Sequence, residues 1–181
     1  MSTDTIIQRT SMEYAIVDSS LGRLLLARTG RGLSAVLFGD DDRALVADLQ
    51  TRFPSVALTR ADDALRPLSD AVLEAVDSSD AVLQPNIPLD LQGTPFQRLV
   101  WEALLSVPAG TTTTYTELAE RIGRPSSVRA VAQACGANAL AVIVPCHRAV
   151  RRDGGVSGYR WGVDRKRRLL EREGALQSLK L

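Results

Sequence analysis

Short apolar runs broken by turns dominate the first half of the chain, and helical apolar stripes dominate the second. Tyr14 to Asp18, Arg23 to Ala27 and Leu33 to Phe38 read as three strands, with Thr29 to Gly32 a glycine-punctuated turn. Asp40-Asp41-Asp42 opens a helix to Phe53, in which Leu45 and Leu49 stand at i, i+4 spacing. A second helix is expected over Asp62 to Val76, interrupted by Pro67. From Asp77 to Asn86 the pattern lapses into polar residues and proline, the expected boundary between a domain over residues 1–90 and one over 91–181. This predicts an α/β chain: a small N-terminal α/β domain, with a three-stranded antiparallel sheet and helices, followed by a mainly helical C-terminal domain. The acidic triplet reads as a helix N-terminus ahead of a metal site, and the first half, without a catalytic motif, is expected to be a scaffold.

Beyond Gly93 the helix signals sharpen. Thr94-Pro95-Phe96-Gln97 combines a threonine N-cap, proline at the first helical position and a glutamine placed to close a capping box. Phe96, Leu99, Val100, Ala103, Leu104 and Val107 then form one apolar stripe that ends before Pro108. Thr114 to Glu117 repeats the capping grammar for a short helix stopping at Gly123, and Ser126 or Ser127 caps another that ends near Gly136. Two short helices around a glycine turn are the pattern of a helix-turn-helix. On the second, Ser127, Ala130 and Gln133 flank Arg129. Small neighbours permit close approach to a groove wall, and a single long cation among them suits insertion into a base stack; a plain solvated charge is the alternative.

Composition is that of a soluble globular protein, with 45% hydrophobic and 24% charged residues in 181. The net charge of +1 hides an asymmetry. Residues 1–90 carry 8 Arg against 14 acids, a balance of −6, and residues 91–181 carry 14 Lys plus Arg against 7 acids, a balance of +7. A basic second half fits a phosphate-backbone binder, and equally a dipolar protein whose halves attract. Two cysteines and one histidine preclude a disulfide framework and a standard zinc set, so neither metal nor cofactor is expected. Met1 to Ser11 has no apolar core and no run approaches a membrane span, so a soluble, cytoplasmic monomer is expected, with no membrane partner.

The chemistry concentrates at Cys146, which adjoins His147, the only histidine of the chain. Leu140 to Val144 reads as an apolar strand that Pro145 ends, delivering the thiol at its edge. A free thiol titrates near about 8.5, so attack at neutral pH needs a base or a positive field. Neighbours in an extended segment point to opposite faces, so contact between Cys146 and His147 requires a local turn or a bridging water. Glu173, at the end of a helix from about Val163 to Arg172, is the candidate for orienting the imidazole. For an isolated cysteine, a buried core thiol is the competing reading.

Pro145-Cys146-His147-Arg148, taken with Tyr115, the step Arg129-Ala130-Val131, Asn138 and the run Ser157-Gly158-Tyr159-Arg160-Trp161-Gly162, resembles the O6-alkylguanine-DNA alkyltransferases. Within that family the likeness is closest to the C-terminal half of the bacterial Ada protein. It extends over nearly the whole chain, Phe38-Gly39-Asp40-Asp41-Asp42 included.

The resemblance implies direct reversal of DNA damage: an alkyl group passes irreversibly from O6-alkylguanine, or O4-alkylthymine, in duplex DNA to Cys146, once per molecule. His147 would act through water and Glu173 would hold His147. Tyr115 would donate toward a ring nitrogen of the leaving base, with Lys166 assisting. Arg129 would replace the extruded nucleotide from a recognition helix, shared with Ser127 and Ala130, in the minor groove. Asn138 would brace the active segment, Tyr159 would wall the base pocket, and main-chain groups near Ala149 and Arg160 would contact the base. Arg148 has two readings, structural anchor and phosphate contact. Trp161 is expected beside the pocket, disfavouring substituents larger than methyl, and Cys135 is expected to be a packing residue. Two other classes stand against this reading, a non-catalytic lesion sensor or DNA-binding regulator and a cysteine hydrolase; only the hydrolase turns over repeatedly.

Overall fold

A computed structural model describes residues 11–77, 86–156 and 158–178. The sheet strands are β1 (Ser11–Ser19), β2 (Gly22–Thr29) and β3 (Gly32–Gly39), antiparallel neighbours as expected. Their centres are apolar on both faces; Leu24, Leu25 and Leu26 are all buried, because the sheet is covered on each side. The sheet has a fourth strand that the pattern did not predict. After α1 (Asp42–Arg52), β4 (Ala57–Arg60) adds to β1 in parallel, giving the order β3-β2-β1-β4. It is four residues long and almost entirely exposed, so it carries no apolar alternation.

Asp41 caps α1 by accepting from the Ala44 amide at 2.8 Å, which accounts for the acidic triplet as a helix start. The second helix, α2 (Arg66–Asp77), begins later than expected; Pro67 lies in its first turn, where the missing amide costs nothing. Most of the expected boundary segment, residues 78–85, lies outside the described residues, as do Met1 to Thr10 and Ser157.

The second half is helical: α3 (Pro95–Leu105), α4 (Tyr115–Arg121), α5 (Val128–Ala137) and α6 (Val163–Arg172), with a two-stranded parallel pair of β5 (Thr113–Thr114) and β6 (Ala149–Val150). Both expected capping boxes form, at Thr94 with Gln97 and at Thr114 with Glu117. Trp101 on α3 donates from Nε1 to the Ala134 carbonyl of α5 at 2.8 Å, fixing the second helix of the helix-turn-helix to the first helix of the half. Gly123, at φ 69°, turns the chain between α4 and α5 in a conformation a side chain would strain.

The free edge of β3 joins the halves. Its Val36 exchanges hydrogen bonds with the segment before the thiol, at 2.7 Å to the Ala139 carbonyl and 2.9 Å from the Ala141 amide, while within the first half its Leu33 amide donates to the Pro88 carbonyl. No helix among the described residues is long and apolar enough to cross a membrane.

Candidate active site

The expected strand over Leu140 to Val144 is absent. Only Leu140 bridges to β3, and the chain then folds back through two tight turns. The Ile143 amide bonds the Ala141 carbonyl at 2.8 Å around Val142, and the Cys146 amide bonds the Val144 carbonyl at 2.7 Å around Pro145. Val142 sits at φ 68°, a left-handed conformation that costs a β-branched residue about 1–3 kcal/mol. The apolar run misled because its burial comes from packing on all sides, not from strand pairing. These turns lead into a 3₁₀ turn, Cys146–Arg148, so the two neighbours are not splayed as they would be in a strand.

Asn138 fastens the segment. Its Oδ1 accepts from the Leu140 amide at 2.9 Å, and its Nδ2 lies 2.9 Å from the Val144 carbonyl and 3.2 Å from Cys146 Sγ. Asn138 is therefore buried beneath the active segment and also donates to the sulfur. His147 is fully buried and its Nε2 stands 2.8 Å from Glu173 Oε1. Facing a carboxylate, that nitrogen carries the proton and donates, leaving Nδ1, buried and without a partner among the described residues, as the basic nitrogen. Arg148 has the contacts of the structural anchor. It is buried, bonds Glu173 through Nε at 3.0 Å and Nη2 at 2.9 Å, and donates from Nη1 to the Val107 carbonyl at 2.6 Å, all of them contacts within the protein.

The electrostatics follow from burial. It pushes the Cys146 thiol up to about 11, against the opposing pull of the Asn138 hydrogen bond and of the Lys166 and Arg52 charges. Burial likewise pushes the His147 imidazolium down, so the ring is neutral at rest. Burial alone would raise Glu173, but hydrogen bonds from His147 and Arg148 outweigh it and hold the carboxyl at about 2. Lys166 is buried and donates to the Ala149 carbonyl at 2.6 Å; burial lowers it, and the nearby sulfurs oppose that. Its place is thus under the active segment, where it contributes charge. The Ala149 amide is also engaged, to the Cys146 carbonyl.

A cleft of about 580 Å³ opens onto Cys146, within the size range of ligand sites. Tyr115, Cys135, Arg151, Tyr159 and Arg160 line it with the small residues Ala132 and Gly136 of α5. Burial raises Tyr115 to about 12, so its phenol is a neutral donor at physiological pH. Tyr159 is buried with its hydroxyl unpartnered among the described residues. Arg160 is exposed and its guanidinium pairs with Asp48 of α1 at 2.9 Å. Trp161 stands beside the cleft without lining it; it packs edge-on to the cleft residue Tyr159 and to Phe38, with centroids 5.2 and 6.4 Å apart.

On α5, Arg129 and Gln133 are exposed, while Ser127 and Ala130 are half-buried; Ser127 is the N-cap residue but makes no side-chain cap. Sequence reasoning missed Ala132 and Gly136, whose i, i+4 spacing of small residues on the expected recognition helix was the available signal. It also missed Arg151 and Arg52, for which there was none. Among the described residues no group of three His, Cys, Asp or Glu is placed to hold a metal.

Comparison with known proteins places this geometry. Residues 12–91 match the family model described as 6-O-methylguanine DNA methyltransferase, ribonuclease-like domain, and residues 95–175 match 6-O-methylguanine DNA methyltransferase, DNA binding domain. The regulatory protein ada of Salmonella typhimurium is 52% identical over 90% of the chain, which spans only 46% of that relative's length. The methylated-DNA--protein-cysteine methyltransferase of Mycobacterium bovis is 38% identical, with 90% of this chain and 92% of the relative covered. The Mycobacterium tuberculosis OGT crystallised in complex with DNA superposes with a TM-score of 0.77 at 36% identity, over 90% of this chain and 93% of that one. The chain belongs to the 6-O-methylguanine DNA methyltransferase family.

Proposed function

We propose that this chain repairs DNA by direct reversal, accepting the alkyl group of an O6-alkylguanine onto Cys146. The observation that carries the proposal is the sulfur at the cleft, with a donor from Asn138 upon it and, on the adjoining residue, a neutral imidazole backed by Glu173. Displacement at a saturated carbon needs a soft anion, an in-line approach and a stabilised leaving group. The thiol proton passes to His147 Nδ1 through one water, and Glu173 stabilises the imidazolium. The Cys146 sulfur then bonds to the alkyl carbon as its bond to O6 breaks, and the electron pair goes to the guanine. Tyr115 offers a neutral hydroxyl to a ring nitrogen of that anion. The thioether has no cleavage route among the groups present, so each molecule acts once.

The basic half, residues 91–181, binds the duplex through α5 in the minor groove. Arg129 fills the gap left by the flipped base, and the boundary with the scaffold lies near residue 90. Protein and DNA meet as one monomer per lesion. A lesion sensor would leave the Cys146, His147 and Glu173 arrangement without a task. The test is incubation with an oligonucleotide carrying radiolabelled O6-methylguanine, followed by peptide mapping. Label should move to the Cys146 peptide at no more than one per protein and fail to move with Cys146→Ser; continued turnover or label elsewhere would refute the proposal.

A further inference from the structure

The groups assigned so far come from residues 115 to 173, yet the sulfur has a further charged neighbour in the first half. Arg52 closes α1 with its side chain only 11% exposed, carrying a guanidinium into the seam with the end of α5. Its Nε pairs with Asp48 at 3.2 Å and its Nη1 lies 3.5 Å from the Ala137 carbonyl. Nη2 is buried without a partner among the described residues. Ala137 directly precedes Asn138, the residue that reaches Sγ. Asp48 is shared, because its other oxygen holds Arg160 of the cleft wall. A buried cation with an unspent donor is costly unless another negative group draws on it.

We propose that Arg52, held by Asp48, is a positioning residue for the alkyl transfer: it braces the end of α5 that carries Asn138 and sets a fixed positive charge on the first-domain side of the thiolate. The inference rests on the alkyl-transfer reading of Cys146. Among the groups that act on the sulfur, Cys135 of α5, Tyr115 of α4 and Tyr159 are kept neutral by burial, and His147 is neutral at rest. Lys166 of α6 and Arg52 of α1 are the cations that favour its ionised form, and Arg151 stands at the cleft, acting on Tyr115 and Lys166. Burial weakens the Arg52 charge, Asp48 and the sulfur support it, and Arg160 opposes it. The first half is then more than a scaffold.

Two substitutions of opposite sign test this in the full chain. Arg52→Met removes the charge and keeps an apolar stem; Asp48→Asn keeps the charge and removes the anion that screens it. The readout is the pH dependence of Cys146 carbamidomethylation by iodoacetamide, mapped by peptide mass so that Cys135 is scored separately, alongside single-turnover methyl transfer. The inflection should rise by about half to one pH unit in Arg52→Met, fall in Asp48→Asn and stay near wild type in Arg52→Lys. At pH 8 the first change corresponds to a threefold to tenfold slower thiolate reaction, on the order expected of one partly screened charge. An inflection unmoved by both substitutions, or moved in the same direction by both, overturns the proposal even if transfer slows. Should Arg52→Met fail to fold, an upward or absent shift in Asp48→Asn is sufficient to overturn it. Absence of transfer by the wild-type chain would instead overturn the reading beneath it, whatever iodoacetamide reports.

Discussion

Replacing Glu173 with glutamine removes one negative charge and little volume, and the structure sets the size of the effect. At 2.8 Å from His147 Nε2 and an effective dielectric of about 20, unit charges attract by about 6 kcal/mol. Glu173 is shared with Arg148 and keeps 13% side-chain exposure, so about half of that, about 3 kcal/mol, is the expected stabilisation of the imidazolium. Single-turnover methyl transfer at pH 7, measured by rapid quench with labelled duplex, should therefore slow about 100-fold. Stability should fall as well, by about 3 kcal/mol in urea unfolding, because the buried Arg148 loses its counter-ion. The pH dependence separates the two consequences. With a resting thiol at about 11, only about one sulfur in 10⁴ is ionised at pH 7, and His147 must take the proton. As pH rises toward 11, hydroxide does the same work and the deficit of Glu173→Gln should shrink. A deficit equal at every pH would show that Glu173 acts on folding alone, and a rate within threefold of wild type would refute the relay.

Asn138→Ala should slow transfer more than tenfold and destabilise by about 2–3 kcal/mol, since it strips the donor from Sγ and leaves buried turn carbonyls unmet; kinetics and urea unfolding check both. Stability should decline on acidification in two stages. The folded-state values of His147 and Glu173 are both depressed, so the unfolded chain takes up protons first: below about 6.5 for the imidazole and below about 4.5 for the carboxyl, continuing toward about 2. Unfolding free energies flat between pH 6 and 3 would contradict this. Arg129→Ala should weaken transfer from duplex lesions while leaving the reaction with free O6-methylguanine base unchanged; an equal loss on both would remove Arg129 from base extrusion. Val142→Gly should raise stability or leave it level, because relief of the left-handed backbone offsets the lost side chain, whereas a loss above about 2 kcal/mol would contradict the strain assigned to that turn.

What was legible in the sequence was local. Thr94 and Thr114 announce their helices because a cap and its partner lie within four residues, and both boxes form. Glu173 was reached from the logic of an oriented imidazole and the length of the last helix, and it does meet His147. The misreadings arose where distant parts of the chain decide. β4 is too short and exposed to carry a pattern and exists because β1 offers it an edge. Leu140 to Val144 looks like a strand, but Asn138 and Val36 bend it into turns. Arg52 lies 94 positions before Cys146, with nothing in its surroundings to connect them.

The edge of β3 has a mechanical consequence. Val36 hydrogen-bonds the strap before the nucleophile, so neither the sheet edge nor that strap keeps its backbone satisfied if the halves come apart. Displacing the second half from the sheet should strand the Val36 donor and acceptor. Heating the intact molecule should melt both halves in one cooperative step, and damage to the sheet's hydrogen-bonded rim should be felt as lost repair far from any DNA contact.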